Sequence, residues 1–188
     1  MDTKQRIVQA TITCIAQNGL KNTTSRDIAA AGSVNVAAIN YHFGTKQRLI
    51  DLAMRSTVDT ALEELSEILH TPGRSFRNRL WDFYVALLRR GRAQPNITRA
   101  HLYGSLIDGE APGPYLQGIT VLLRETLDDL QPDDSILASH ERARAIESGL
   151  NAVLMRCLHP GLCDLGPPGS DRIEDEARRL VRLIQTHV

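Results

Sequence analysis

Eleven side chains between Thr24 and Lys46 carry groups that could read a nucleic acid. Asn40 offers an amide, which pairs with the major-groove edge of adenine through two hydrogen bonds. Val36, Ala37 and Ala38 are small and apolar, a fit for a thymine methyl. The hydroxyls of Thr24, Ser25 and Tyr41 and the ammonium of Lys46 suit phosphate oxygens, contacts that fix register rather than sequence. Arg26 suits the backbone or a groove edge. Asn35 and His42 complete the set expected to face or approach the groove. His42 reads equally as a phosphate contact or a helix-end residue; nothing near it suggests acid–base work.

Groups of this kind act only if short helices hold them in register. Thr24 is a good N-cap, and Asp27 three residues on gives a capping box with Asp in place of Glu. Ile28 and Ala29 make an apolar side small enough for a crossing helix. Gly32-Ser33 breaks the first helix and Val34 plugs the space between the two. Asn35 caps the second helix, which buries Ile39 and Phe43. Such a short helix has too little apolar surface to fold alone and exposes small and polar residues. That is the pattern of a helix-turn-helix, whose second helix lies in the major groove.

The run Ile28-Ala29, Val34-Asn35, then Ile39-Asn40-Tyr41-His42-Phe43-Gly44, Lys46 and Leu49 resembles the DNA-binding domain of TetR-type transcriptional regulators. The likeness covers about the first fifty residues. The family usually has Ala-Gly in the turn, and this chain has Gly32-Ser33. If Ser33 takes the left-handed conformation, the strain is on the order of 1 kcal/mol. The resemblance implies a repressor that binds a palindromic operator in double-stranded DNA as a homodimer and is released by a small-molecule effector. It implies no cofactor, no metal and no catalytic residue.

Composition is compatible with this. The chain has 188 residues, 42% of them hydrophobic, enough for a real core. No run of eighteen apolar residues exists, and the N-terminus lacks a signal-peptide core, so a cytoplasmic protein without membrane partners is expected. Three cysteines without CxxC suit a reducing compartment. Net charge is zero but uneven. Residues 1–50 hold six basic and two acidic side chains, a net +4, against −4 for the remainder. The basic end is the helix-turn-helix end, which favours phosphate contact there.

The whole chain reads as all-α, with about nine helices. Residues 1–50 form the DNA-binding domain and 51–188 an effector-binding and dimerisation domain. No linker composition divides them; a long helix starting near Thr45 joins the two. Helices follow over about 75–91, 98–108, from Pro114, over 135–158, and from Ser170. The helices after Pro72 hold the only Trp and three of the four Tyr. A buried tyrosine needs a partner for its hydroxyl, so an effector cavity is expected along Trp81, Tyr84, Leu88, Tyr103, Leu106, Tyr115 and Ile119. The plainer reading is a filled core with those hydroxyls on backbone carbonyls. Few charges fall on the inward stripes, so a neutral or mainly apolar effector is expected.

Small residues Ala145, Gly149 and Ala152, with Ala177, Leu180, Val181 and Ile184 on the last helix, are the expected dimer seam. Their plainer reading is internal packing. Cys157, His159 and Cys163 could offer three metal ligands, but the spacing matches no zinc pattern and core or loop cysteines are the simpler account. No GxGxxG, Walker loop or GxSxG occurs. Two other readings stay open: an architectural DNA-binding protein without an effector, and an enzyme using the body cavity.

Overall fold

The computed structural model describes residues 2–128, 136–158 and Arg178. Among these there are eight α-helices and no strand: α1 Thr3–Asn18, α2 Ser25–Ala31, α3 Val36–Phe43, α4 Lys46–Leu69, α5 Phe76–Ala93, α6 Pro95–Leu106, α7 Pro114–Asp128 and α8 Ile136–Leu158. The helix expected from Ser170 lies outside the described residues.

Local chemistry sets most of the helix starts. Asp2, Thr24, Asn35, Thr45 and Ser75 each accept a backbone N–H of the first turn, satisfying a donor that has no partner within the helix. Helix α6 starts at Pro95, three residues earlier than the sequence spacing suggested. The reason is Pro at the first helical position, where its fixed φ is preorganised and its missing N–H costs nothing.

The apolar stripes pack into two bodies and a junction. In the head, Ile7, Ala10 and Cys14 of α1 meet Ile28 and Ala29 of α2, Ile39 and Phe43 of α3, and Leu49 of α4. The larger core is built around α5. Leu80, Phe83, Tyr84, Leu87 and Leu88 are enclosed by α4, α7 and α8. Two glycines permit close crossings. A Cβ on Gly91 would stand 2.5 Å from the Cys157 sulfur, and one on Gly118 would collide with Leu62. Between the bodies, Ile15 of α1, Ile50 of α4 and Ile97 of α6 form a third cluster. Beside it Asn96 donates from Nδ2 to the Ala16 carbonyl at 2.9 Å, closing the C-terminal end of α1. The head therefore rests on the body through α6, as well as through the unbroken α4.

Candidate nucleic-acid interface and body groove

The entry to α2 is a closed set of hydrogen bonds. The Thr24 hydroxyl accepts from the Asp27 N–H at 3.2 Å. The Asp27 carboxylate accepts from the Thr24 N–H at 3.0 Å and from its hydroxyl at 2.6 Å. These bonds from Thr24, side chain first, hold the Asp27 carboxyl below its ordinary range, with the Lys46 charge adding to the effect. Lys46 donates from Nζ to the Thr23 carbonyl at 2.6 Å, pinning the start of α4 to the start of α2. An ammonium has three donors, so this bond leaves Lys46 capacity for a phosphate.

The turn between α2 and α3 uses its two residues in different ways. Gly32 has φ −85°, which any residue adopts. Its need is space: a Cβ there would meet the Ile28 carbonyl oxygen at 3.2 Å and the Ala10 Cβ at 3.3 Å. Ser33 has φ 50°, the left-handed conformation, in which a residue with a Cβ is strained. The Ser33 N–H donates to the Ala30 carbonyl at 3.2 Å and the Val34 N–H to the Ala29 carbonyl at 2.9 Å, so the break stays hydrogen-bonded.

Helix α3 begins with the Asn35 side-chain oxygen accepting the Ala38 N–H at 2.7 Å. It ends at Gly44, φ 75°. Ile39 and Phe43 are fully turned into the head core. On the opposite side Asn40 sits one turn from Val36, and Tyr41 one turn from Ala37, all four exposed. Tyr41 is 86% exposed, and its ring stands edge-on to His42 at 5.1 Å between centroids. A tyrosine so exposed on a rigid helix contributes nothing to the core. Arg26, Asn35 and His42 are exposed too, while Ser25 and Ala38 are partly covered. The structure thus gathers all eleven side chains on the two helices of the turn and their flanks.

The body residues are distributed differently. Tyr84, Leu88 and Ile119 lie in the filled core. The Tyr84 hydroxyl donates to the Ile146 carbonyl at 3.0 Å, and burial pushes its pKa up. Tyr115 is buried against the His101 ring, 5.3 Å between centroids. Leu106 is partly buried and Tyr103 is exposed. Only Trp81 of the seven lines a groove, about 530 Å³, between Glu64 and Ile68 of α4 and one side of α5. Val85, Ala86, Arg89 and Arg90 complete most of its wall.

Three contacts here escaped sequence reasoning. Arg90 donates to the Glu64 carboxylate at the groove. Asn96 ties α6 to α1. His101 meets the Thr57 hydroxyl, Nε2 to Oγ1 2.8 Å, while that hydroxyl donates to the Met54 carbonyl at 2.7 Å. The hydroxyl proton is thereby committed, so Nε2 of His101 carries a hydrogen and donates it. Burial, with the Arg90 charge adding, lowers its pKa to about 4. Each partner sits 26 to 80 residues away, on another helix.

Of the expected dimer seam, Gly149 is buried and Ala152 packs partly against the body core. The side chain of Ala145 and all of Ala177, Leu180, Val181 and Ile184 lie outside the described residues. So do His159 and Cys163. Cys157 is buried on Gly91, its sulfur 3.5 Å from the Leu87 carbonyl oxygen. Among the described residues no three His, Cys, Asp or Glu side chains cluster as metal ligands, and no helix is long and apolar enough to cross a membrane.

Comparison with known proteins agrees with the head. Residues 7–53 match the family of bacterial regulatory proteins of the tetR type. This segment is a TetR-family DNA-binding domain. The transcriptional repressor KstR2 of Mycolicibacterium smegmatis is 29% identical over 68 residues, which span 36% of this chain and 33% of that protein. The chain therefore matches about a third of that curated relative. The whole chain also has the TetR-family fold. A TetR-family regulator from Streptomyces coelicolor superposes with TM-score 0.63 at 22% identity, covering 100% of this chain and 99% of that one. A transcriptional regulator from Rhodococcus sp. Rha1 gives 0.63 at 20% identity, covering 98% and 97%. The regulator FadR from Bacillus subtilis, in complex with stearoyl-CoA, gives 0.67 at 12% identity, covering 98% of each. At these identities the likeness speaks for fold alone.

Proposed function

We propose that the chain is a ligand-responsive transcriptional repressor, binding a palindromic operator as a homodimer and leaving it when a small molecule occupies the body. The observation that carries this reading is α3. A capped helix is anchored by Ile39 and Phe43, and it turns Val36, Ala37, Asn40 and Tyr41 to solvent beside the net positive end of the chain. In the proposed complex Asn40 reads adenine, and Val36, Ala37 or Ala38 touches a thymine methyl. Asn35 and His42 approach the groove. Thr24, Ser25, Tyr41 and Lys46 hold phosphates, with Arg26 at the backbone or a groove edge.

Residues 1–50 serve as the reading unit and 51–188 as the sensing and dimerising unit, acting in the cytoplasm and without catalysis. Helix α4 supplies the mechanical link. Its first turn holds Lys46 on the Thr23 carbonyl, and its last turns carry Glu64 and Ile68 of the groove. A ligand acts only if it favours one arrangement of α4 over another, because equal affinity for both shifts nothing. The test is binding of the full chain to DNA flanking its own gene, titrated in salt. A regulator gives a saturable complex on a palindrome, with affinity falling steeply as salt rises. Equal affinity for flanking and random DNA would refute the proposal.

A further inference from the structure

The α4–α5 groove combines a hydrocarbon wall with a charge pair whose members differ in burial. Ile68, Trp81, Val85 and Ala86 make the wall. At one end Arg90 binds Glu64. The Arg90 side chain is 24% exposed and the Glu64 side chain 53%. The more buried partner needs a counter-charge beside it, whereas the exposed carboxylate can swing into water at little cost. The exchange thus runs one way: an incoming anion replaces Glu64, and an incoming cation does not replace Arg90. The other acid on the groove, Asp82, is already bound to Arg74 at 3.2 Å. The Trp81 Nε1–H in this wall is buried and has no acceptor among the described residues. From Arg90 to Trp81 the groove follows roughly 13 Å of helix axis. Its volume lies within the range of small-molecule sites.

We propose that this groove binds an amphipathic monoanion, its carboxylate on Arg90 in place of Glu64 and its hydrocarbon body along Val85, Trp81 and Ile68. This departs from the expectation of a neutral effector, since Arg90 of α5 gives the groove a cationic end. The consequence for DNA rests on the regulator reading above: losing the Glu64–Arg90 pair removes one polar tie between α4 and α5, which stay packed through their apolar core, and α4 carries the head.

Trp81 is the only tryptophan in the chain, so its fluorescence reports on this groove and nowhere else. The full chain is titrated with decanoate, decanol and decylamine below their micelle concentrations. Decanoate is expected to give a saturable change, with decanol and decylamine weaker by about tenfold or more, the worth of a charge-assisted hydrogen bond. Glu64→Gln is expected to bind decanoate roughly two- to fivefold tighter, because the competitor for Arg90 is gone. Arg90→Gln, with its melting transition checked, is expected to lose the preference for decanoate over decanol. Should that variant fail to fold, Glu64→Gln decides. Equal binding of decanol and decanoate by the native chain, or unchanged or weaker decanoate binding by Glu64→Gln, overturns the proposal. Operator affinity measured in parallel separates the two readings. Fluorescence response without operator release keeps the groove site and refutes its role as effector site. Operator release by decanoate without a fluorescence response refutes the groove and keeps the regulator.

Discussion

Replacing Ser33 by Gly is expected to stabilise the head, against the usual rule that a new glycine weakens a fold. Ser33 has φ 50° and an exposed side chain. The left-handed conformation costs a residue with a Cβ roughly 1–2 kcal/mol. Glycine removes that cost and returns roughly 0.4–1 kcal/mol through the larger freedom of its unfolded chain. The net gain is on the order of 0.5–1 kcal/mol, or about 1–3 °C in Tm for a chain of this size. The neighbouring position behaves oppositely. Gly32→Ala keeps an ordinary φ but pushes a Cβ against the Ile28 carbonyl and the Ala10 Cβ, neither of which is the end of a flexible side chain. It is expected to lose about 1 kcal/mol or more. Ser33→Ala, which keeps the strain, is expected to stay within about 0.5 kcal/mol of the native chain. Denaturant midpoints at constant m-value measure all three. A lower midpoint for Ser33→Gly than for Ser33→Ala would refute the account of the turn.

Two further outcomes follow from other sites. The folded chain keeps His101 neutral down to about pH 4, whereas the unfolded chain takes up a proton near 6.5. Between those values the unfolded state holds more protons, so stability falls as pH drops through this window, by at most roughly 3 kcal/mol for this group. Comparing native and His101→Gln unfolding at pH 7 and pH 4.5 checks this: the variant is expected to show a smaller loss, and an equal loss would contradict it. Lys46→Ala is expected to weaken binding to all DNA sequences alike, reduce the salt slope by about one, and lower the head's stability through loss of the Thr23 contact; an unchanged melting midpoint would show that the contact is not structural.

What was legible in the sequence is what depends on near neighbours. Thr24, Asn35 and Thr45 act on groups within four residues, so residue type and spacing announced them. The positive φ of Ser33 was raised only by the resemblance, since the family usually has Gly at that place in the turn. The exposed face of α3 followed once Ile39 and Phe43 were placed inside. The body was less readable. Aromatic content pointed to a cavity, but a tyrosine hydroxyl takes any acceptor, and that of Tyr84 found the Ile146 carbonyl 62 residues away. Arg90 reads in sequence as a solvated charge at a helix end. Its meeting with Glu64 depends on how α4 and α5 lie together, which side-chain periodicity leaves open. Cys157 was readable as a small buried group, though not as the reason Gly91 must lack a Cβ.

Selection from random duplex DNA decides whether α3 reads bases. The full chain, taken through rounds of binding and amplification, is expected to return a palindrome with half-sites about one helical turn apart or a multiple of it. The same selection with Asn40→Ala is expected to return the palindrome with one position of each half-site degenerate, a loss of roughly 1–3 kcal/mol of discrimination there. An enriched sequence identical for both proteins, or no enrichment by the native chain, would contradict base reading by α3.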